Sequence, residues 1–194
     1  MTAHTATASW AEHAARMFDP PSHPRWETPG ELARAIDPKS RQTPALDVID
    51  AALVEAFNTP DSRLVISMPP QEGKSPRASR RFPLWALTQN PDLRVGIASH
   101  ESNIARRWGR AIRDDIAQHG DTLGLTVRSD LSAQNEWQLA GHDGGVFTGG
   151  VGGQFTGRPV DILIIDDPVK GREEADSEVM SRGSWGTSDR ACNR

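Results

Sequence analysis

The sequence has one cysteine, Cys192, close to its C-terminal end, so neither a disulfide framework nor a cysteine-built zinc site can form within the chain. Its six histidines show no ligand spacing beside carboxylates, which removes the other common zinc pattern. No run of eighteen apolar residues occurs, and the first thirty residues have neither a basic start nor an apolar block; no membrane span and no export signal are expected. Internal repeats and coiled-coil heptads are also missing. The glycine-rich run at 148–153 does not follow a buried strand and open a helix, so it is no dinucleotide fingerprint. Ser67 and Ser99 stand at the ends of expected strands without a His and Asp arrangement, which leaves serine hydrolysis unsupported. What remains is one ordinary soluble domain with tails, in keeping with 194 residues, and a lone thiol suits a reducing compartment.

Lys and Arg number 22 against 26 Asp and Glu, a net charge of -4, but the charge is uneven. Residues 61–115 hold ten basic and six acidic side chains. Such a block is either a surface for a polyanion or a solvated helix face.

Residues 1–27, rich in Ala, Thr, His and Pro, have no periodicity and read as a loosely ordered lead-in. Thr28 with Pro29, and Thr43 with Pro44, mark two helix starts, the second carrying Leu46, Ile49, Leu53, Val54 and Phe57 on one face. An apolar run at 64–68 (LVISM) predicts a buried strand; the loop PPQEGKS, a helix to about Gln89, and a second strand LRVGIAS follow. A long helix is expected from about Ser99 to His119, with Ile104, Trp108, Ile112 and Ile116 spaced by four. Alternating strands and helices predict an α/β fold with a mostly parallel sheet. Short β-like pieces between Gly120 and Gly157 predict an antiparallel hairpin or flap. A strand at 161–165 (DILII) then runs into Asp166 and Asp167, with a helix from about Glu173 behind it. Residues 181–194 lose all apolar periodicity and read as a tail.

Residues 68–75, MPPQEGKS, match the end of the phosphate-loop pattern G-x-x-x-x-G-K-[ST], with Met68 where its first glycine would stand. A strand, a tight loop and a helix starting at Lys74 would turn the N–H groups of Glu72 to Ser75 and the positive helix end toward β- and γ-phosphates. Gly73 permits close approach, Lys74 supplies charge, and the Ser75 hydroxyl can ligate Mg²⁺. Four aliphatics ending in paired acids some ninety residues later fit the second half of such a site. Asp166 would hold Mg²⁺ through water and Asp167 would orient or deprotonate the attacking water. Taken alone, each half also fits a surface turn or a solvated strand end.

Together, PPQEGKS and TGRPVDILIIDDPVK, with the intervening sequence, resemble the ATPase region of the large subunit of tailed-bacteriophage terminases, over about residues 28–180. The resemblance implies a phosphate-loop NTPase with helices on both faces of the sheet, binding ATP and Mg²⁺ and driving double-stranded DNA into a capsid in the bacterial host cytoplasm. It also implies a small terminase subunit, a portal protein and a homo-oligomeric ring as partners. Lys74 and Ser75 match the phosphate- and Mg²⁺-binding pair, with Gln71, Glu72 and Gly73 in the same loop. Asp166 matches the metal-associated acid, and Asp167 stands where the family has its catalytic carboxylate. Gln42 resembles the glutamine that reads adenine, although a helix-opening role fits it as well. Arg158 is a candidate for an arginine completing a neighbour's site, or else a partner for Asp161. Arg80, Arg81, Arg106, Arg107, Arg110 and Arg113 either touch DNA phosphates or form surface charge.

Three departures stand out. Pro76 lacks an N–H that commonly donates to the α-phosphate; Gln71 and Glu72 stand where an arginine is frequent; and no coupling motif or nuclease domain follows residue 180. The expectation is a truncated prophage gene or a shifted reading frame, without nuclease activity. The alternatives are a non-catalytic remnant that at most binds ATP, and another DNA-dependent phosphate-loop ATPase such as a helicase-like remodeler, which would need a second motor domain.

Overall fold

In the computed structural model, which describes residues 26–151 and 157–169, the first two helices begin where threonine precedes proline. Thr28 accepts a hydrogen bond from the Glu31 N–H (3.1 Å) and opens α1, Pro29–Ile36. Thr43 accepts from the Leu46 N–H (3.3 Å) and opens α2, Pro44–Asn58. Each threonine satisfies one donor that a helix start leaves without a partner, and proline in the first turn gives up a donor that had none. On α2 the expected apolar face is present, with Leu46, Ile49 and Leu53 buried and Val54 and Phe57 packed at the border of the core. Phe57 meets Trp85 edge-on at 4.9 Å between ring centroids.

Beyond the phosphate-loop motif, a π-helical segment, Pro76–Arg81, runs directly into α3, Phe82–Gln89. The Phe82 N–H bonds to the Arg77 carbonyl, five residues back. Pro83 accounts for the widening, because in a regular α-helix its ring would meet the Ser79 carbonyl and its missing donor would break that turn.

The sheet comprises β1 (Arg94–Ser99), β2 (Val127–Ser132), β3 (Glu136–Leu139), β4 (Gly145–Gly150) and β5 (Ile162–Ile165), in the order β2-β3-β4-β1-β5. β1 lies parallel to both β4 and β5, whereas β3 is antiparallel to β2 and β4. The sheet is therefore mixed and not mostly parallel. Connections of three and five residues, 133–135 and 140–144, are too short for a crossover and force neighbouring strands to reverse. The segment GVFTGG, expected within a hairpin or flap, is the interior strand β4.

Between β1 and β2, α4 (Ser102–Leu123) lies along one sheet face, three residues later at its start than expected. It crosses β4 at backbone distance: a side chain on Gly109 would meet Thr148 Cγ2 at 2.6 Å, and Trp137 donates its indole N–H to the Gly109 carbonyl at 3.0 Å. By strand alternation and register, Val95, Ile97, Val146, Ile162 and Ile164 share this face. Arg158 lies 4.9 Å over the ring of Phe147, which alternates away from α4. Helices on both faces were expected; among the described residues α4 is the helix packed along the sheet, while the others pack on it and on one another.

The run at 64–68 does not form the expected strand. Ile66 and Met68 lie against the core, but Leu64 and Val65 are 41% and 88% exposed, so alternation is kept only over the end of the run, and β5 ends the described sheet without pairing to it. A short apolar run does not by itself supply a ladder partner. Most of the lead-in, the glycines at 152–153, the helix expected from Glu173 and the tail at 181–194 lie outside the described residues.

Candidate functional site

The loop motif reaches the helix start through two left-handed residues, Gln71 (φ 68°) and Gly73 (φ 88°). Glycine adopts that conformation freely, and at Gly73 a side chain would also contact the Leu46 methyls at 3.7 Å. Left-handed residues thus stand on either side of Glu72; alternation of right- and left-handed residues is how backbone concavities that take up anions are built. Lys74 and Ser75 open the following helix, and their N–H groups lie in a first turn that has no intrahelical acceptors.

Across from this loop stand the two acids at the end of β5. The Ser75 hydroxyl donates to Asp166 Oδ1 at 2.9 Å, and the Trp108 indole N–H donates to Asp166 Oδ2 at 2.8 Å. The Asp166 N–H continues the ladder to the Ala98 carbonyl (2.8 Å), and the residue is buried. Lys74 Nζ lies 3.7 Å from Asp167 Oδ1. Asp167 is itself left-handed, with φ 46°. Its carbonyl accepts from the His100 N–H (3.2 Å) and the Ser99 hydroxyl (3.4 Å), and His100 Nδ1 lies 2.8 Å from it. Lys74, Ser75, Asp166 and Asp167, separated by ninety residues in sequence, thus converge. Ser75 and Asp166 present only hard oxygen donors at one point, a set that fits Mg²⁺.

Gln42 lies beside the helix that leaves the loop, with its amide fully engaged. It donates to Asp47 Oδ1 and Asp50 Oδ2, both at 2.8 Å, and accepts from Arg77 Nη2 at 2.8 Å. Arg77 also pairs with Asp50, and both side chains are almost wholly buried. Gly30 makes room for this cluster, since a side chain there would collide with all three partners.

Arg158 is held within its own chain, 2.6 Å from Glu136 and over Phe147. Its expected alternative partner, Asp161, is taken by Arg94 through bonds of 2.7 and 2.9 Å. That pair of hydrogen bonds is the largest cause of a raised Arg94 pKa and a lowered Asp161 pKa. Of the arginines weighed for DNA, Arg80 and Arg81 grip the buried Asp115 at 2.7–2.9 Å, so this part of the group is structural. Their hydrogen bond raises Arg80, while burial lowers Arg81. Arg107 and Arg110 are exposed on α4.

Sequence reasoning did not single out His100, Trp108, Asp50 or Arg77 for the site. Trp108 fits a four-residue apolar spacing and so reads as core. The available signal for His100 was its place just past β1, because parallel strands bring their carboxyl ends to one edge, where sites collect.

The family model described as terminase large subunit, T4likevirus-type, N-terminal, matches residues 65–191, about two-thirds of the chain. No curated protein matches it. Among the described residues no helix is long and apolar enough to cross a membrane.

Proposed function

Since the chain belongs to the T4-like family of terminase large subunits, as their N-terminal region, we propose that it is the ATP-hydrolysing motor segment that drives double-stranded viral DNA into a capsid. The observation that carries this reading is the approach of Ser75 to Asp166 (2.9 Å) and of Lys74 to Asp167 (3.7 Å). On this reading the α/β fold is that of a phosphate-loop NTPase.

In the proposed reaction the N–H groups of Glu72 to Ser75 hold phosphate oxygens, and Lys74 leaves Asp167 to face the β- and γ-phosphates. Ser75 and Asp166 would hold Mg²⁺, which when bound supplies positive charge against the triphosphate. Asp167, freed from Lys74, aligns the attacking water and accepts its proton on the carboxylate. Pro76 contributes no donor, so the α-phosphate relies on neighbouring groups. Gln42 reads the adenine edge only by exchanging one of its present partners. Arg158 completes a neighbouring subunit's site only by leaving Glu136. The exposed Arg107 and Arg110 would contact DNA phosphates, and a small terminase subunit, a portal protein and a ring of copies are the proposed partners.

Phosphate release from Mg-ATP, measured with and without linear double-stranded DNA, tests this reading. DNA-stimulated release that disappears in Asp167→Asn supports it. Tight Mg-ATP binding without release at any DNA or protein concentration contradicts the motor reading and favours a non-catalytic nucleotide-binding remnant.

A further inference from the structure

We propose that His100 is a positioning residue that fixes the Asp167 backbone so that two consecutive acids address one loop; the functional meaning rests on reading Asp167 as the hydrolytic carboxylate. In extended backbone, neighbouring side chains point to opposite faces. If β5 continued unbroken, Asp166 and Asp167 could not both face residues 74 and 75. They do so because Asp167 turns left-handed, φ 46°, directly after a buried Asp166 bonded to Ser75.

That turn is disfavoured twice. Asp167 has a Cβ, and it precedes Pro168, whose ring restricts the residue before it to extended conformations. Such a conformation persists only where its surroundings over-determine it. Here three groups from the end of β1 converge on the Asp167 carbonyl: the His100 N–H at 3.2 Å, His100 Nδ1 at 2.8 Å and the Ser99 hydroxyl at 3.4 Å. Since a carbonyl only accepts, Nδ1 carries the proton. Ser99 is fully buried, and the His100 side chain is 16% exposed, with Nε2 4.0 Å from Glu101. The anchor therefore belongs to the sheet and does not move with the loop. The ring N–H is the shortest of the three contacts, and a substitution at His100 removes it while leaving the main chain and the longer Ser99 contact intact.

The test compares the full-length wild type with His100→Ala, which deletes the ring donor, and His100→Asn, whose amide N–H can stand where Nδ1 stands. His100→Leu, which keeps bulk, replaces His100→Ala if the latter does not melt cooperatively. In aspartate-labelled protein, the Asp167 Cα shift and its HN–Hα coupling report the left-handed turn by NMR. The expected result is that both move toward extended values in the donor-less variant and stay near wild type in His100→Asn. In turnover, misplacing a reacting group by about an ångström costs on the order of a hundredfold. The donor-less variant should lose about ten- to a hundredfold in kcat with KM for Mg-ATP nearly unchanged, and His100→Asn should recover most of it. An unchanged left-handed signature without the ring donor overturns the proposal, as does a loss in which KM rises with kcat constant. Absence of turnover in the wild type removes Asp167's hydrolytic role, and the NMR comparison then decides alone whether His100 holds the turn.

Discussion

Lys74 and Asp167 face each other with 3.7 Å between the ammonium and one carboxylate oxygen, and their side chains are 31% and 63% exposed. An ion pair that open to water is worth at most about 1 kcal/mol. On the proposed reading, a triphosphate entering the loop would meet little resistance in drawing Lys74 away, and the carboxylate left behind would be free for water.

Asp167→Asn should separate binding from hydrolysis. Losing a weak pair and a nearby negative charge changes Mg-ATP affinity by no more than roughly fivefold, in the direction of tighter binding. Removing the base lowers turnover by about a hundredfold or more. Fluorescent-nucleotide titration beside phosphate release distinguishes the two effects; parallel loss of both would remove Asp167 from the hydrolytic step.

The Asp50–Arg77 pair, joined by Gln42, ties α2 to the π-helical segment just beyond the loop. Breaking a buried pair from one side leaves an uncompensated charge and costs about 3–5 kcal/mol. Asp50→Asn and Arg77→Leu should each lower the urea midpoint strongly, while the double variant with both as Leu loses clearly less than the sum. Strict additivity would show that the two charges do not act as a pair.

Gly109→Ala places a methyl group 2.6 Å from Thr148 Cγ2, on a buried sheet residue. Overpacking of this kind costs about 1–3 kcal/mol. Thermal unfolding of that variant, compared with substitution of the exposed neighbour Arg110 by Ala, isolates the contact between α4 and β4.

Much of this architecture was legible because local chemistry dictated it. Thr28 and Thr43 before prolines fixed two helix starts, and the GKS triplet with a distant pair of acids foretold which side chains would meet. What the sequence concealed depends on partners that lie far away in it. The run at 64–68 has strand composition but no paired neighbour, and β4 looks like flap sequence yet sits beside β1. Arg158 pairs with Glu136 because Arg94 already holds Asp161. The left-handed turn at Asp167 has only a weak residue-type signal, since glycine would normally mark it and the following Pro168 argues for extended backbone.

Acid stability should carry a contribution from Asp161. Its hydrogen bonds to Arg94 lower its folded pKa, so the stabilisation is fully present above the unfolded value of about 3.9 and is lost as pH falls through the lowered folded value. Chemical denaturation from about pH 6 down to about pH 3 should show a flatter acid limb for Asp161→Asn than for wild type. Identical limbs would mean that the link between the starts of β1 and β5 does not titrate as a pair.

The most direct measurement is the melting temperature of the 194-residue chain with and without Mg-ATP, beside Lys74→Ala. Ligand at about a hundred times its Kd stabilises a binding-competent fold by about 2.7 kcal/mol. The predicted result is a clear rise for wild type that vanishes in Lys74→Ala. An equal rise in both proteins, or none in a wild type that melts cooperatively, would contradict the assignment of residues 68–75 and the facing acids as a nucleotide site.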